Sequence, residues 1–286
     1  MATFASILRD AEKTARRAGK EASAIKQLLL HHSGMTPSQL YLKLDDPMPE
    51  ESLQAFMESL HRYVVKGEPV QYILGYVYFY GYRFLVGPDV LIPRFETEEL
   101  VANVLIAYDE VFAGRPARLV DVGTGSGCLA IALKLEEPNL DVTATDISES
   151  AVQTAKANAS ALGADVSFLL GDMLSPLQGQ TFDILVSNPP YIPDSEAVDP
   201  IIRDHEPHVA LFGGEDGLRF YRIILRNAEP ILADTFVIAF EHAYHHGEAI
   251  RRLALESFPS AEATTIKDMQ GKERMTLIKR IKRAQD

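Results

Sequence analysis

The segment FDILVSNPPYIPD, residues 182–194, ends an apolar run in an asparagine and two prolines. Proline fixes φ and carries no amide donor, so Pro189 and Pro190 stiffen the chain and leave it offering acceptors. The Asn188 side-chain oxygen and the Pro189 carbonyl can each accept a hydrogen from one planar NH2 group, and Tyr191 can stack on its face. The nitrogen of an amide or aromatic amine is a weak nucleophile because its lone pair is delocalised. Acceptors on both its hydrogens add electron density as positive charge develops, and they align the nitrogen for in-line attack on an activated carbon. No side-chain base is required before attack. Asn-Pro-Pro is also a common turn signal, so the argument depends on where in the fold it stands.

A second motif supplies that context. LVDVGTGSGCLAIAL, residues 119–133, sets Gly123, Gly125 and Gly127, with Thr124 and Ser126 between them, after an expected strand and before an expected helix. Glycines there let the chain turn sharply and approach a ligand without a Cβ in the way. A dinucleotide fingerprint needs a third glycine where Cys128 stands, and a phosphate-binding P-loop needs a Lys-Ser/Thr pair that is absent. Asp121 precedes the loop by two residues, where an acid can meet an amino group. A nucleoside ligand without phosphates fits: S-adenosylmethionine carries an amino acid head, a ribose diol and an adenine. Asp146 ends the next strand, 19 residues beyond Gly127, where such folds place a carboxylate for ribose hydroxyls. Asp172 follows the third strand and can reach the adenine amino group, with Met173 against the ring. Each aspartate alone is compatible with a cap or turn. Three at successive strand ends point to one ligand crevice.

These motifs need a scaffold. Short apolar runs at 118–122, 141–145, 166–170, 182–187 and 235–240 alternate with helical periodicity at 127–136, 148–162, 217–232 and 247–257, which predicts a parallel, doubly wound sheet. Two further strands, 261–267 and 275–280, follow with no helix between them. One is expected to be antiparallel at the sheet edge, the methyltransferase variant of the Rossmann architecture. Upstream, apolar residues at helical spacing from Phe4 to Val64 predict a small helical bundle, with Thr36-Pro37 and DDPMPEES starting helices. The Leu40, Leu42 and Leu44 series is read as one of its stripes. Aromatic and β-branched residues broken by glycines from Val70 to Ile92 suit a hairpin. The expected division is a helical substrate-docking domain at 1–70, a hairpin linker at 71–92 and a catalytic domain at 93–286.

Of 286 residues, 47% are hydrophobic and 24% charged, a globular composition. The net charge of −12 is uneven: residues 1–92 hold ten bases and ten acids, and the remainder carries the whole excess. Such a surface repels free nucleic acid and favours a basic protein partner. No apolar run approaches the ~20 residues of a membrane span, and the N-terminus lacks a secretory h-region. With one cysteine, these features predict a soluble cytoplasmic chain.

Together the motifs are similar to those of the PrmC/HemK protein-(glutamine-N5) methyltransferases, which modify the Gly-Gly-Gln (GGQ) loop of peptide chain release factors. The resemblance runs through GEPVQYILGYVYFYG (67–81), LIPRFETEELV (91–101), DVGTGSG (121–127), SNPPYIP (187–193), EPHVALFGGEDGL (206–218) and FEHAYHHGEAI (240–250). It implies S-adenosylmethionine as methyl donor, S-adenosylhomocysteine as product, no metal, a release factor as substrate, and a monomer. Gly123 to Gly127, Asp146, Asp172 or Met173, and Asn188 would contact the cofactor. Asn188, Pro189, Pro190 and Tyr191 would form the substrate site. Phe79 and Arg94 match further motif positions, with Phe79 expected to line the methyl-transfer pocket. Met173 and Phe95 depart from residues frequent in the family, which bears on adenine packing and pocket shape and not on the chemistry.

A DNA or RNA amino-methyltransferase is the competing reading, because adenine N6 and cytosine N4 present the same planar NH2. The acidic domain lacks the basic groove such a substrate needs. A cofactor-binding module without activity has no use for two acceptors aimed at a transferred methyl. His205/His208 and His242/His245/His246 are read as structural or surface groups, Cys128 as packing, and the basic tail IKRIKRAQD as a solvated terminus.

Overall fold

A computed structural model describes residues 2–282; Met1 and residues 283–286, the end of the basic tail, lie outside the described residues. The chain divides into two compact units. One runs up to Tyr76 and takes in Pro200–His205; the other takes Val77–Asp199 and the chain from Glu206 onward.

The first unit holds α1 (Phe4–Arg17), α2 (Ser23–Ser33), α3 (Pro37–Leu42), α4 (Glu50–Val64) and α5 (Val70–Leu74). Thr3 and Ser6 cap α1 reciprocally, and Thr36 and Gln39 do the same for α3 with Pro37 in its first turn, satisfying amides that have no partner within the helix. α4 starts behind Pro49 without a side-chain cap; Glu50 and Glu51 in its first turn complement the helix dipole instead. Phe4, Ile7, Leu28, Leu29 and Phe56 close the core. Leu40 is buried but Leu42 is exposed, because α3 ends there and the stripe expected through Leu44 does not continue.

β1 (Tyr76–Phe79) and β2 (Tyr82–Leu85) form the hairpin, preceded by the helical turn of α5, so strands occupy less of 71–92 than expected. Phe79 and Phe84 point inward and Tyr78 outward. Buried Asn158 accepts from Leu85 N at 2.6 Å and donates to Leu85 O at 3.0 Å and to Ser126 O at 2.8 Å. One side chain therefore ties the hairpin to the glycine loop.

The second unit continues with α6 (Phe95–Phe112), β3 (Ala117–Val122), α7 (Cys128–Glu136), β4 (Leu140–Asp146), α8 (Glu149–Leu162), β5 (Val166–Leu170) and β6 (Phe182–Ser187). After α9 (Pro200–His205), which belongs to the first unit, come α10 (Arg219–Asn227), β7 (Leu232–Glu241), α11 (Gly247–Ser257), β8 (Glu262–Lys267) and β9 (Glu273–Arg280). The α6 helix is absent from the sequence-based assignment. Its run LVANVLIAY is apolar almost throughout and lacks the two-faced pattern of an exposed helix.

The seven strands lie in the order β5-β4-β3-β6-β7-β9-β8. Five are parallel, and β9 runs antiparallel to both β7 and β8, inserted next to the edge. Each face carries its own core, one built on α6, α7 and the hairpin, the other on α10 and α11. The order reverses direction between β3 and β6, where Asp121 pairs in register with Val186, two residues before Asn188. Sheets of this kind bind ligands beyond their carboxyl ends at that reversal.

Gly127 turns at φ +80°, and a Cβ there would meet Ile131 and Ala155 at 2.9 and 3.0 Å; Gly163, at φ +69°, faces open space. Gly163→Ala should therefore lower stability by ~1–2 kcal/mol through backbone strain alone. Gly127→Ala should cost a further ~1–3 kcal/mol for overpacking. Denaturant unfolding checks the difference, and equal costs would contradict it.

Candidate active site

A cleft of about 310 Å³ opens at the carboxyl ends of β3, β4, β5 and β6. Its wall includes Asp121, Gly123, Thr124, Gly125, Ser126, Asp146, Asp172, Met173, Asn188 and Pro190. Ten residues singled out from four separate stretches of sequence thus meet in one cavity.

The loop after β3 turns through positive φ at Gly123, Gly125 and Gly127. A Cβ on Gly123 or Gly125 would touch nothing, so their missing side chains leave the cleft open, whereas Gly127 serves the contact between α7 and α8 and does not line it. Thr124 Oγ1 donates to Asp121 Oδ2 at 2.7 Å, and Gly125 N donates to Asp146 Oδ2 at 2.8 Å. Ser148 N donates to the other oxygen of Asp146 at 2.9 Å. Both carboxylates therefore brace the loop from neighbouring strands while retaining lone pairs toward the cleft. Burial pushes Asp121 up to about 7, against the pull of Thr124. A cation placed beside it would restore its charge. Met173 adopts φ +46°, uncommon for a side chain of its size, and its carbonyl accepts from Thr145 Oγ1 at 3.2 Å. Asp172 is exposed at the cleft, and its carbonyl accepts from Ser175 N and Oγ.

Asn188 and Pro190 face the cleft from the end of β6; Pro189 is buried behind them. Tyr191 is turned against the core beneath α10, where burial pushes its phenol up to about 12. Phe79, expected in the pocket wall, is instead 1% exposed and packs edge-on to Phe84 at 5.9 Å. The alternation of β1 turns Phe79 into the core, and it does not line this cleft.

Four features were not assigned from sequence. Gly213 and Gly217 carry the first: a Cβ on Gly213 would collide with Pro190 O, and one on Gly217 with Tyr191 O. Together with Gly213 N donating to Ile192 O at 2.8 Å, they press the 213–217 turn onto the backbone of the NPPY segment. The second is buried Glu206, which accepts from Arg94 at 2.5 Å and from Ile92 N at 3.1 Å and so holds Arg94, a residue of the cleft wall. Thr97 and Glu241 are the third and fourth: buried Thr97 lies within 3.2 Å of Asn188 Nδ2 and 2.7 Å of Glu241 Oε2. The only sequence signal for these was their place in the unassigned segments RFETEE, EPHVALFGGEDG and FEHAY.

Burial pushes the Cys128 thiol up to about 12, which suits a packing role and not a nucleophile. Among the described residues there is no group of His, Cys, Asp and Glu able to hold a metal ion, and no helix long and apolar enough to cross a membrane.

Comparison with known proteins agrees with this fold. A family model described as PrmC N-terminal domain matches residues 6–75, and one described as Methyltransferase small domain matches residues 101–208. The chain is 43% identical over 279 residues to a release factor glutamine methyltransferase of Bacillus subtilis, covering 96% of each. It is 41% identical over 261 residues to one of Bacillus cereus, covering 90% of this chain and 92% of the relative. Among solved structures, a methyltransferase from Pyrococcus furiosus shares the fold at 20% identity, with a TM-score of 0.52 over 70% of this chain and 89% of its own. The fold is that of the class I methyltransferases.

The raised Asp121 carboxyl has a consequence for stability. The folded state holds this proton up to about pH 7, whereas an exposed aspartate releases it near 3.8. Folding stability from this group is therefore greatest below the ordinary value and is lost as pH rises through about 7. Asp121→Asn keeps the acceptor for Thr124 and removes the buried charge, so its melting temperature relative to wild type should rise from pH 5 to pH 8. A fall over that range would contradict the burial argument.

Proposed function

The chain belongs to the release factor glutamine methyltransferase family, and on that premise we propose that it transfers a methyl group from S-adenosylmethionine to the side-chain amide nitrogen of a release-factor glutamine. The carrying observation is that one cleft joins three acids on neighbouring strand ends to Asn188 and Pro190 on the next.

The cofactor fits the donor set. Asp121 would meet its amino group, the free lone pairs of Asp146 its ribose hydroxyls, and Asp172 with Met173 its adenine; Gly123 and Gly125 leave room for it. Once bound, it supplies a methyl group activated on a sulfonium. The protein's part is to hold the acceptor. Asn188 Oδ1 and the Pro189 carbonyl take the two hydrogens of the glutamine NH2, orient the nitrogen and stabilise the charge that develops on it. The stiffness of Pro189 and Pro190, and the 213–217 turn pressed on Pro190 and Tyr191, keep those oxygens from yielding. The reaction releases a proton from the methylated nitrogen after attack, so the site needs no strong base. We assign the helical unit to docking the protein substrate and place the reaction in the cytoplasm with the translation machinery.

Incubation with labelled S-adenosylmethionine and either release factor or nucleic acid, followed by mass spectrometric mapping, tests this reading. The label is expected on the glutamine of the GGQ loop; label in nucleic acid would overturn it. Asn188→Ala should lower kcat by ~10²-fold, the lower end for losing one preorganised polar contact, while cofactor affinity falls less. Equal losses in both would mean that Asn188 serves the cofactor alone.

A further inference from the structure

Asn188 acts as an acceptor only if its amide is held one way round. A carboxamide turned by half a rotation presents NH2 where its oxygen stood, and NH2 facing the substrate NH2 sets donor against donor. Nothing in the NPPY segment itself distinguishes the two orientations, so the distinction must come from the groups behind the amide.

Those groups are Thr97, in the first turn of α6, and Glu241, the last residue of β7. Both are almost fully buried, at 4% and 1% exposure. Glu241 Oε2 accepts the Thr97 hydroxyl hydrogen at 2.7 Å. A hydroxyl has one hydrogen, so committing it to the carboxylate leaves Thr97 Oγ1 with lone pairs alone toward Asn188, 3.2 Å away. An ionised carboxylate, like the committed hydroxyl, can only accept. With Thr97 committed in this way, an acceptor faces Asn188 from behind, and the atom turned to it is Nδ2.

We propose that Thr97 and Glu241 are positioning residues that lock the Asn188 amide with its hydrogens inward and Oδ1 toward the cleft. The inference rests on Asn188 serving as an acceptor for the substrate NH2 and extends that reading to residues outside the NPPY segment. With Glu241 ionised, the conversion runs from a buried negative charge, through a hydroxyl, to an oxygen offered to the cleft, and the lock weakens as the pH falls through about 7. It also accounts for an otherwise costly feature. Burial pushes Glu241 up to about 7, only partly offset by Thr97 and the nearby Arg274. An unneeded carboxylate at this depth would be replaced at no loss by an apolar residue.

The test measures kcat, KM for release factor and calorimetric cofactor affinity in Thr97→Val, Thr97→Ser, Glu241→Gln and Asn188→Ala, and in the double variant Asn188→Ala with Thr97→Val. Thr97→Val keeps the side chain's shape without the hydroxyl and should lower kcat by ~10–30-fold, less than the loss of Asn188 itself, with cofactor affinity within about 2-fold. Thr97→Ser restores the hydroxyl and should return kcat to within about 3-fold of wild type. Glu241→Gln offers a donor as readily as an acceptor and should lower kcat by at least ~3-fold. In the Asn188→Ala background, Thr97→Val should cost less than ~2-fold, because a residue that acts through Asn188 has nothing left to position, although Thr97 also borders the cleft. A full additional loss there, an unchanged kcat in Thr97→Val, or failure of Thr97→Ser to recover activity would overturn the proposal. An unaffected Asn188→Ala would instead overturn the assignment of Asn188 on which it rests.

Discussion

The organisation of this catalytic unit depends on donors being tied up by the protein so that acceptors are left facing the cleft. At the β3 end, Thr124 and the Gly125 amide spend their hydrogens on Asp121 and Asp146. At the β6 end, two prolines remove amide donors outright, and the Asn188 NH2 is engaged from behind by Thr97. What Asp121, Asp146 and Asn188 offer the cleft is oxygen lone pairs, which suit an ammonium group, a ribose diol and a primary amide.

Placing those oxygens in register is the work of the sheet. Parallel strands end at a common level, and the reversal of strand order between β3 and β6 opens a gap there. Because Asp121 and Val186 are register partners, Asp121 and Asn188 are separated by two residues of one strand pair. The glycine loop is then set by three braces: Asp146 from β4, Asn158 from α8, and the close packing at Gly127. The hairpin shares the second brace, which explains why β2 packs with the catalytic unit.

Much of this was legible in the sequence because the motifs sit where backbone conformation is demanding. Glycines at positive φ and consecutive prolines are informative locally, and short parallel strands with intervening helices are informative in series. Legibility failed where a residue's role depends on a partner distant in sequence. Thr97 and Glu241 lie 144 positions apart and became a pair only through the packing of α6 on β7. α6 itself was hidden because its central run, LVANVLIAY, is apolar almost throughout and shows no two-faced pattern. Phe79 was assigned to the cleft from its motif, yet strand alternation turned it into the core against Phe84. The 213–217 turn carries no functional signal in its sequence, since only the fold reveals which backbone its glycines allow to approach.

The most direct measurement is a crystal structure of the enzyme with S-adenosylhomocysteine and a GGQ-containing release factor. The account predicts the glutamine nitrogen within ~3 Å of both Asn188 Oδ1 and the Pro189 carbonyl, pointing at the cofactor sulfur. A glutamine whose oxygen, and not its nitrogen, faces those two acceptors would contradict it.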